Sequence, residues 1–176
     1  MRAAADLADE IGYDALTLTA LASRLKVAVP SLYKHVGSLD DLRRGVALVA
    51  IEGLTSAMRG AVDEGHGRGS GTDLNALATA YRRYVLDHPG RYAATVRAAP
   101  AGDPELRAAS DAAVRVVLDV LETYGLRGDD LIHAARGLRA ALHGFASLET
   151  AGGFGLPQTV ERSFGWMVEN FEGGLS

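Results

Sequence analysis

The sequence predicts an all-α protein of about nine helices. Three observations carry this expectation. Apolar residues return at i, i+3, i+4 and i+7 in one segment after another. Clusters of Gly and Pro, at 65–71, 88–90, 125–128 and 152–157, separate those segments. Residues 17–36, TLTALASRLKVAVPSLYKHV, interrupt an amphipathic stripe in the manner of a helix-turn-helix. The expected architecture is an N-terminal three-helix domain over residues 1–44, then a larger helical domain over 45–176. With 176 residues, 48% hydrophobic and 23% charged, the chain has enough apolar material for a sizeable core and is not a disordered polymer. It has no cysteine, so disulfides, thiol redox sensing and thiolate metal sites are excluded.

The helix-turn-helix carries most of the functional information. Thr17 is placed to cap the first helix by accepting a backbone N–H two or three residues on, and Leu18, Leu21, Ala22 and Leu25 then form one apolar face. Residues 26–28 break the stripe. Pro30 fits only the first turn of a new helix, because it has no N–H and its φ is preset, so the second helix starts near Val29. It is tipped with Tyr33, Lys34 and His35 and is too short to stand alone. Arg24, Lys26 and Lys34 are the only formal charges in residues 15–36, although the whole chain carries net charge −4. A locally positive surface attracts a duplex backbone by releasing its condensed counterions, and the hydroxyls of Ser31 and Tyr33 suit phosphate or base edges.

These residues resemble the DNA-binding domain of TetR-family transcriptional regulators. In that family the first helix ends in a pattern like Gly12-Tyr13-Asp14, and a run like Tyr33-Lys34-His35-Val36 closes the recognition helix. The resemblance implies DNA contacts from Thr17, Thr19, Val29, Pro30, Ser31, Tyr33, Lys34 and His35, with base edges reached by residues 29–31 and phosphates by 33–35. The chain departs from the pattern at four positions. Lys26 stands where the turn usually has Gly, at a cost of roughly 1–2 kcal/mol for positive φ. Ala28 replaces the usual hydroxyl cap, Val36 the usual Phe, and Leu39 a phosphate-binding Lys. Fewer phosphate contacts and a weaker non-specific affinity are therefore expected. The sequence starts almost at the first helix, so no basic arm for the minor groove is expected either.

Ser38-Leu39-Asp40-Asp41 reads as a capping box, with carboxylates on the positive end of a helix dipole. The helix it opens carries Leu42, Val46, Val49 and Gly53 and reaches about Arg59. The Gly-rich run from Gly65 to Gly71 is a flexible break; no strand precedes it and no Lys-Ser or Lys-Thr follows, so it is not a phosphate loop. Thr72 or Asp73 caps a helix to Asp87, and a shorter one follows His88-Pro89-Gly90 through Tyr92 and Val96. Asp103 with Pro104 opens a longer helix through Leu106, Ala113, Val117, Val120 and Tyr124. Two helices complete the chain, the first from about 129 to 149 and the second containing Phe164, Val168, Phe171 and Leu175.

Those last two helices are the expected dimer interface. Gly137, Ala141, Gly144 and Leu148 form a mostly small stripe, and each interior Gly costs about 1 kcal/mol, which close approach of another helix would offset. Phe164, Val168 and Phe171 repeat the spacing, so two helices per subunit would make a four-helix bundle across a two-fold axis; the alternative is that both stripes complete the monomer core. Residues 136–157 are similar to the C-terminal domain of a TetR subgroup named for a Trp-His-Gly motif, matched at His143-Gly144. That resemblance implies a sensor domain without specifying its ligand. Tyr81, Tyr84, Tyr92, Val96, Val114, Val117, Leu121 and Leu142 are candidate walls of an apolar pocket. Arg136, His133 and His143 are its candidate polar groups.

No catalytic residues, metal or cofactor are expected. The five His residues show no HxxxH or HExxH spacing, and His133 and His143 lie about 15 Å apart along one helix, too far to share a metal. No signal peptide, 18-residue apolar run or membrane partner is read, and the expected location is the cytoplasm. The combined expectation is a homodimeric regulator, most simply a repressor, that binds a palindromic double-stranded operator and responds to an apolar or aromatic small molecule. The alternative is a helical protein-interaction module that has lost specific DNA binding, motivated by Lys26, Ala28 and Leu39.

Overall fold

The computed structural model describes residues 1–65, 70–96 and 102–175, with residues 70–72 described in their backbone only. Regular structure among these residues is entirely helical: α1 (Arg2–Ile11), α2 (Leu18–Leu25), α3 (Val29–Leu32), α4 (Leu39–Gly65), α5 (Ser70–Asp87), α6 (Pro89–Ala93), α7 (Pro104–Glu122), α8 (Gly128–Thr150) and α9 (Val160–Gly173). They form two compact units. The first comprises Met1–Gly53 with His88–Asp111, and the second Leu54–Asp87 with Ala112–Ser176.

In the first unit a small core holds short helices that could not persist alone. Ala4, Ala5, Leu7 and Ala8 of α1 are buried, together with Leu16, Leu21, Ala22, Leu32, Val36, Leu42 and Val46. Residues 88–111 belong to this unit because α6 docks on α1. At Gly90 the two backbones meet so closely that an added Cβ would lie 1.8 Å from the Ala8 carbonyl oxygen, so only glycine is accommodated there. Arg91 secures the contact, with its backbone N–H on Asp9 Oδ1 (2.7 Å), Nε on Asp9 Oδ2 (2.7 Å) and a terminal nitrogen on Asp6 Oδ1 (2.5 Å). His88 Nδ1 lies 3.2 Å from the same Asp9 carboxylate.

A second tie joins α4 to the start of α7. Arg44 donates from Nε and a terminal nitrogen to the two oxygens of Asp103 (2.5 and 2.7 Å) and also to Glu105 (2.8 Å). Asp103 caps α7 as expected, accepting the Leu106 N–H at 3.0 Å. Its carboxyl is held below the usual carboxylate range, chiefly by the Arg44 hydrogen bonds and then by that backbone N–H.

The second unit is built on longer helices. Leu74, Leu77, Ala78, Tyr81, Tyr84 and Val85 of α5 are buried, as are Leu131, Leu138, Leu142 and Ala146 of α8 and Phe164 and Val168 of α9. Helix α5 packs against both α8 and α9. Arg82 is buried with them. Its guanidinium grips Glu149 through two 2.7 Å hydrogen bonds and Glu161 through one of 2.5 Å, and lies 4.8 Å from the ring centre of Phe164. The Phe145 and Phe164 rings meet edge to face at 5.2 Å.

Several boundaries differ from the sequence expectation. Helix α4 continues past Arg59 to Gly65, because the buried row Leu42, Val46, Ala50, Leu54, Met58 and Val62 runs on at four-residue spacing through the exposed Gly60. Among the described residues α4 alone is long and apolar enough to cross a membrane by length and composition; its interspersed charges hide this from a search for continuous apolar runs. Helix α5 begins at Ser70, so Thr72 and Asp73 lie inside it rather than capping it. The rest of the Gly-rich break, 66–69, lies outside the described residues. Helix α6 stops before Val96, and α9 ends at Gly173, leaving Leu175 beyond it.

Candidate nucleic-acid interface

Residues 17–36 form the helix-turn-helix anticipated from the stripe and its interruption. Thr17 caps α2 by accepting the Ala20 N–H on Oγ1 at 3.0 Å. The turn closes with Lys26 N–H donating to Ser23 O (3.1 Å) and Val27 N–H to Ala22 O (3.0 Å). This paired arrangement requires a left-handed residue between them. Lys26 fills it at φ 55° and ψ 41° and is the only non-glycine with positive φ among the described residues. Ala28 offers no side-chain cap to α3. Regular helix ends at Leu32, and Tyr33, Lys34 and His35 occupy the turn beyond it, closed by the His35 and Val36 N–H groups donating to Leu32 O (2.8 and 3.0 Å). Ser38 Oγ accepts the Asp41 N–H at 3.0 Å and opens α4.

This scaffold faces its anchors inward and its candidate contacts outward. Leu21, Ala22, Leu32 and Val36 are buried. Thr17, Thr19, Pro30, Ser31, Tyr33, Lys34 and His35 are exposed, and Val29 is half-buried. Tyr33 stands 56% exposed. His35 also lines a concavity of about 460 Å³ shared with Arg44 and Glu105, so one side of it faces the α4–α7 tie. The local charge is smaller than residues 15–36 alone imply. Glu10 of α1 reaches across to Arg24 at 2.7 Å, leaving Lys26 and Lys34 as the cations of that stretch that no carboxylate offsets among the described residues. No local sequence signal could reveal this, because the pair is separated by fourteen positions.

The other candidate residues divide between the units. Tyr92 and Val96 belong to the first unit; Tyr81, Tyr84, Val114, Val117, Leu121, Arg136, Leu142 and His143 belong to the second. Tyr81, Tyr84, Leu121 and Leu142 are buried there, Val117 and His143 half-buried, and Val114 and Arg136 exposed. His143 Nδ1 lies 3.4 Å from Ser147 Oγ. A concavity of about 340 Å³ in the second unit is lined instead by Arg59, Val62, Asp63, Asp73, Val116, Asp119, Val120 and Thr123. Among the described residues no cluster of His, Cys, Asp or Glu has a geometry for holding a metal ion.

The candidate dimer residues divide as well. Phe164 and Val168 are buried within the chain's own core, and a Cβ on Gly137 would lie 3.4 Å from the Phe171 ring, so these four serve the intrachain packing of α8 and α9. Ala141 is half-buried, Gly144 has open space above it, and Leu148 is exposed. The sequence reading missed Trp166, which is 67% exposed on α9, and the exposed Phe154 and Leu156 before it. The available signal was that Trp166, two residues from Phe164, falls off the buried stripe.

Comparison with known proteins follows the same division. Residues 1–46 match the family described as bacterial regulatory proteins, tetR family, and residues 74–171 match the tetracyclin repressor-like C-terminal domain. The chain is 43% identical over 145 residues to the HTH-type transcriptional regulator Rv0681 of Mycobacterium tuberculosis, covering 82% of this chain and 65% of that protein. It thus spans just under two thirds of that relative's length. It is 32% identical over 174 residues to the HTH-type transcriptional regulator YobS of Bacillus subtilis, covering 98% and 88% of the two chains. Among solved structures, a protein from Rhodococcus sp. RHA1 superposes with a TM-score of 0.82 at 23% identity, covering 98% of this chain and 90% of the other. ActR of Streptomyces coelicolor, solved in complex with (S)-DNPA, gives 0.70 at 22% identity, covering 99% and 93%. Likeness at such identity concerns the fold; identity sustained over nearly the whole chain, with family matches at both ends, places this protein in the TetR family of transcriptional regulators.

Proposed function

We propose that this protein is a homodimeric, ligand-responsive repressor that binds a palindromic operator in duplex DNA. The observation that carries this proposal is the reader itself: residues 29–35 project from a turn whose anchors, Leu32 and Val36, are buried, so the outward side chains are held in place for a major groove. Lys34 is assigned to phosphate, and Val29, Pro30 and Ser31 to base edges, over a domain at about residues 1–44. The dimer face is assigned to the outward side of α8 and α9, where Ala141, Gly144, Leu148 and Trp166 leave apolar surface uncovered. An apolar or aromatic effector is assigned to the second unit, among Tyr81, Tyr84, Val117, Leu121 and Leu142. Such a protein acts on DNA in the cytoplasm and performs no catalysis.

Helix α4 gives the proposed switch a physical path, since its residues 39–53 belong to the reader's unit and 54–65 to the other. An effector that favours one setting of α4 releases DNA only by binding that setting more tightly, so operator and effector must weaken each other by the same factor. Selection of bound duplexes from a random library tests the DNA assignment. A palindrome should be enriched, and Lys34→Ala should lower affinity for all sequences while reducing the salt slope by about one. Enrichment of no sequence would instead favour a helical protein-interaction module.

A further inference from the structure

We infer that this reader selects its operator chiefly through thymine methyl groups. The inference rests on the DNA-binding assignment and specifies its chemistry. From Val27 to Pro30 the chain presents Val, Ala, Val and Pro, none with a side-chain donor or acceptor, and Pro30 also lacks a backbone N–H. This stretch is not hidden in the core: Val27 is 43% exposed, Ala28 and Pro30 are exposed, and Val29 is half-buried. Leu25, 44% exposed, extends the apolar surface on the other side of the turn. The nearest polar groups are the Ser31 and Tyr33 hydroxyls, and Lys26 and Lys34 flank the patch with positive charge suited to phosphate.

Each base pair shows the major groove a pattern of donors and acceptors, and thymine alone adds a C5 methyl. An apolar surface leaves groove-edge donors and acceptors without partners at either pair, N4, O6 and N7 at C·G or O4, N6 and N7 at T·A, and gains nothing in return at C·G. Against thymine the same surface buries a methyl. Ala28 gives α3 no side-chain cap, so no capping hydroxyl stands at the start of the helix within this apolar stretch. The specificity-determining residues are therefore Val27, Ala28, Val29 and Pro30, and the groups they read are adjacent thymine methyls in each half-site.

The test uses the full chain and the operator recovered by selection. Thymidine is replaced by deoxyuridine one position at a time, which removes only the methyl and leaves base pairing intact. Affinity should fall about fourfold for each contacted methyl, and about sixteenfold when both half-sites are changed. A T·A pair exchanged for C·G should lose affinity, and 5-methylcytosine at that position should restore part of it, because its methyl occupies the same place. Val29→Ala should shrink the thymine-to-uracil ratio toward one, whereas Lys34→Ala should weaken both duplexes equally and leave the ratio intact. A specific operator whose affinity is indifferent to uracil at every half-site thymine would overturn the inference while leaving the regulator assignment standing. If selection enriches nothing, the regulator assignment fails and this inference falls with it.

Discussion

The two units solve the problem of holding helices in place in opposite ways. In the first, α2, α3 and α6 have 8, 4 and 5 residues, too few to be stable alone. Helices α2 and α3 are anchored by the buried Leu21, Ala22 and Leu32, and ties between distant parts of the chain position α6 and the start of α7: Arg91 to Asp6 and Asp9, Arg44 to Asp103 and Glu105, and Gly90 against the α1 backbone. In the second, α5 and α8 run for 18 and 23 residues and bury continuous apolar rows around one charged network at Arg82. A few buried anchors suffice for α3, whose remaining side chains stay on the outside. Long helices bury long apolar rows, yet α8 and α9 also keep large apolar side chains outside, Leu148 and Trp166. A small scaffold thus displays the outward side chains of residues 29–35, and a larger one leaves apolar side chains on its surface.

The contrast breaks most severely at Gly90. Gly90→Ala forces a methyl onto the Ala8 carbonyl, which is backbone and cannot rotate aside, so a loss of about 3 kcal/mol or more is expected in urea unfolding. An unchanged midpoint would mean that α6 is not seated on α1. In the second unit the corresponding break is Arg82→Ala, expected to cost about 2–3 kcal/mol, less than a fully buried pair because Glu161 is exposed. Replacing Arg82 with Met and Glu149 with Leu together should recover most of that loss, since the uncompensated carboxylate disappears. Failure of the pair to recover would locate the effect in packing against Phe164 instead.

Assembly offers a test of the apolar surplus. Gly144→Arg and Trp166→Glu each place a charge on the outward face of α8 or α9 without entering the chain's own core, so both should sediment as folded monomers. If both remain dimeric, the interface lies on another face. Phe171 is a poorer probe, because it packs beside Gly137 of the same chain.

Smaller effects sharpen the picture of the ties. Because Arg44 and the Leu106 N–H depress the Asp103 carboxyl, its contribution to stability is present above the ordinary carboxylate value and is lost as pH falls through the lowered folded value. Asp103→Asn should remove that part of the acid dependence while leaving the remainder of the pH profile in place. Least of all, Lys26→Gly should stabilise the first unit by about 0.5–1 kcal/mol by relieving the left-handed conformation, with thermal unfolding as the readout. A loss of stability would show that the Lys26 side chain does more in the folded state than its turn requires.

Much was legible along the chain because the signals are local. Thr17, Ser38 and Asp103 cap the helices they were expected to open, and Lys26 takes the left-handed turn. Each of these is settled within a few residues by backbone donors that need partners and by φ preferences, and three-dimensional context adds little. Periodicity likewise identified which residues of α8 and α9 share a face. It does not say what each face meets: Phe164 and Val168 share their spacing with Gly144, yet they turn inward and it turns outward.

The local chemistry of the amino-acid sequence therefore determined the succession of helices, the caps at Thr17, Ser38 and Asp103, the turn and the family to which this protein belongs. Only the tertiary structure decided that residues 88–111 join the N-terminal unit, that Glu10 offsets Arg24, and that Arg82 lies in an aromatic and carboxylate cage. The physical reason is one of range: caps and turns are fixed by hydrogen bonds over three or four residues, whereas ion pairs and close backbone contacts join positions separated by tens of residues. Nothing in the intervening sequence encodes their meeting.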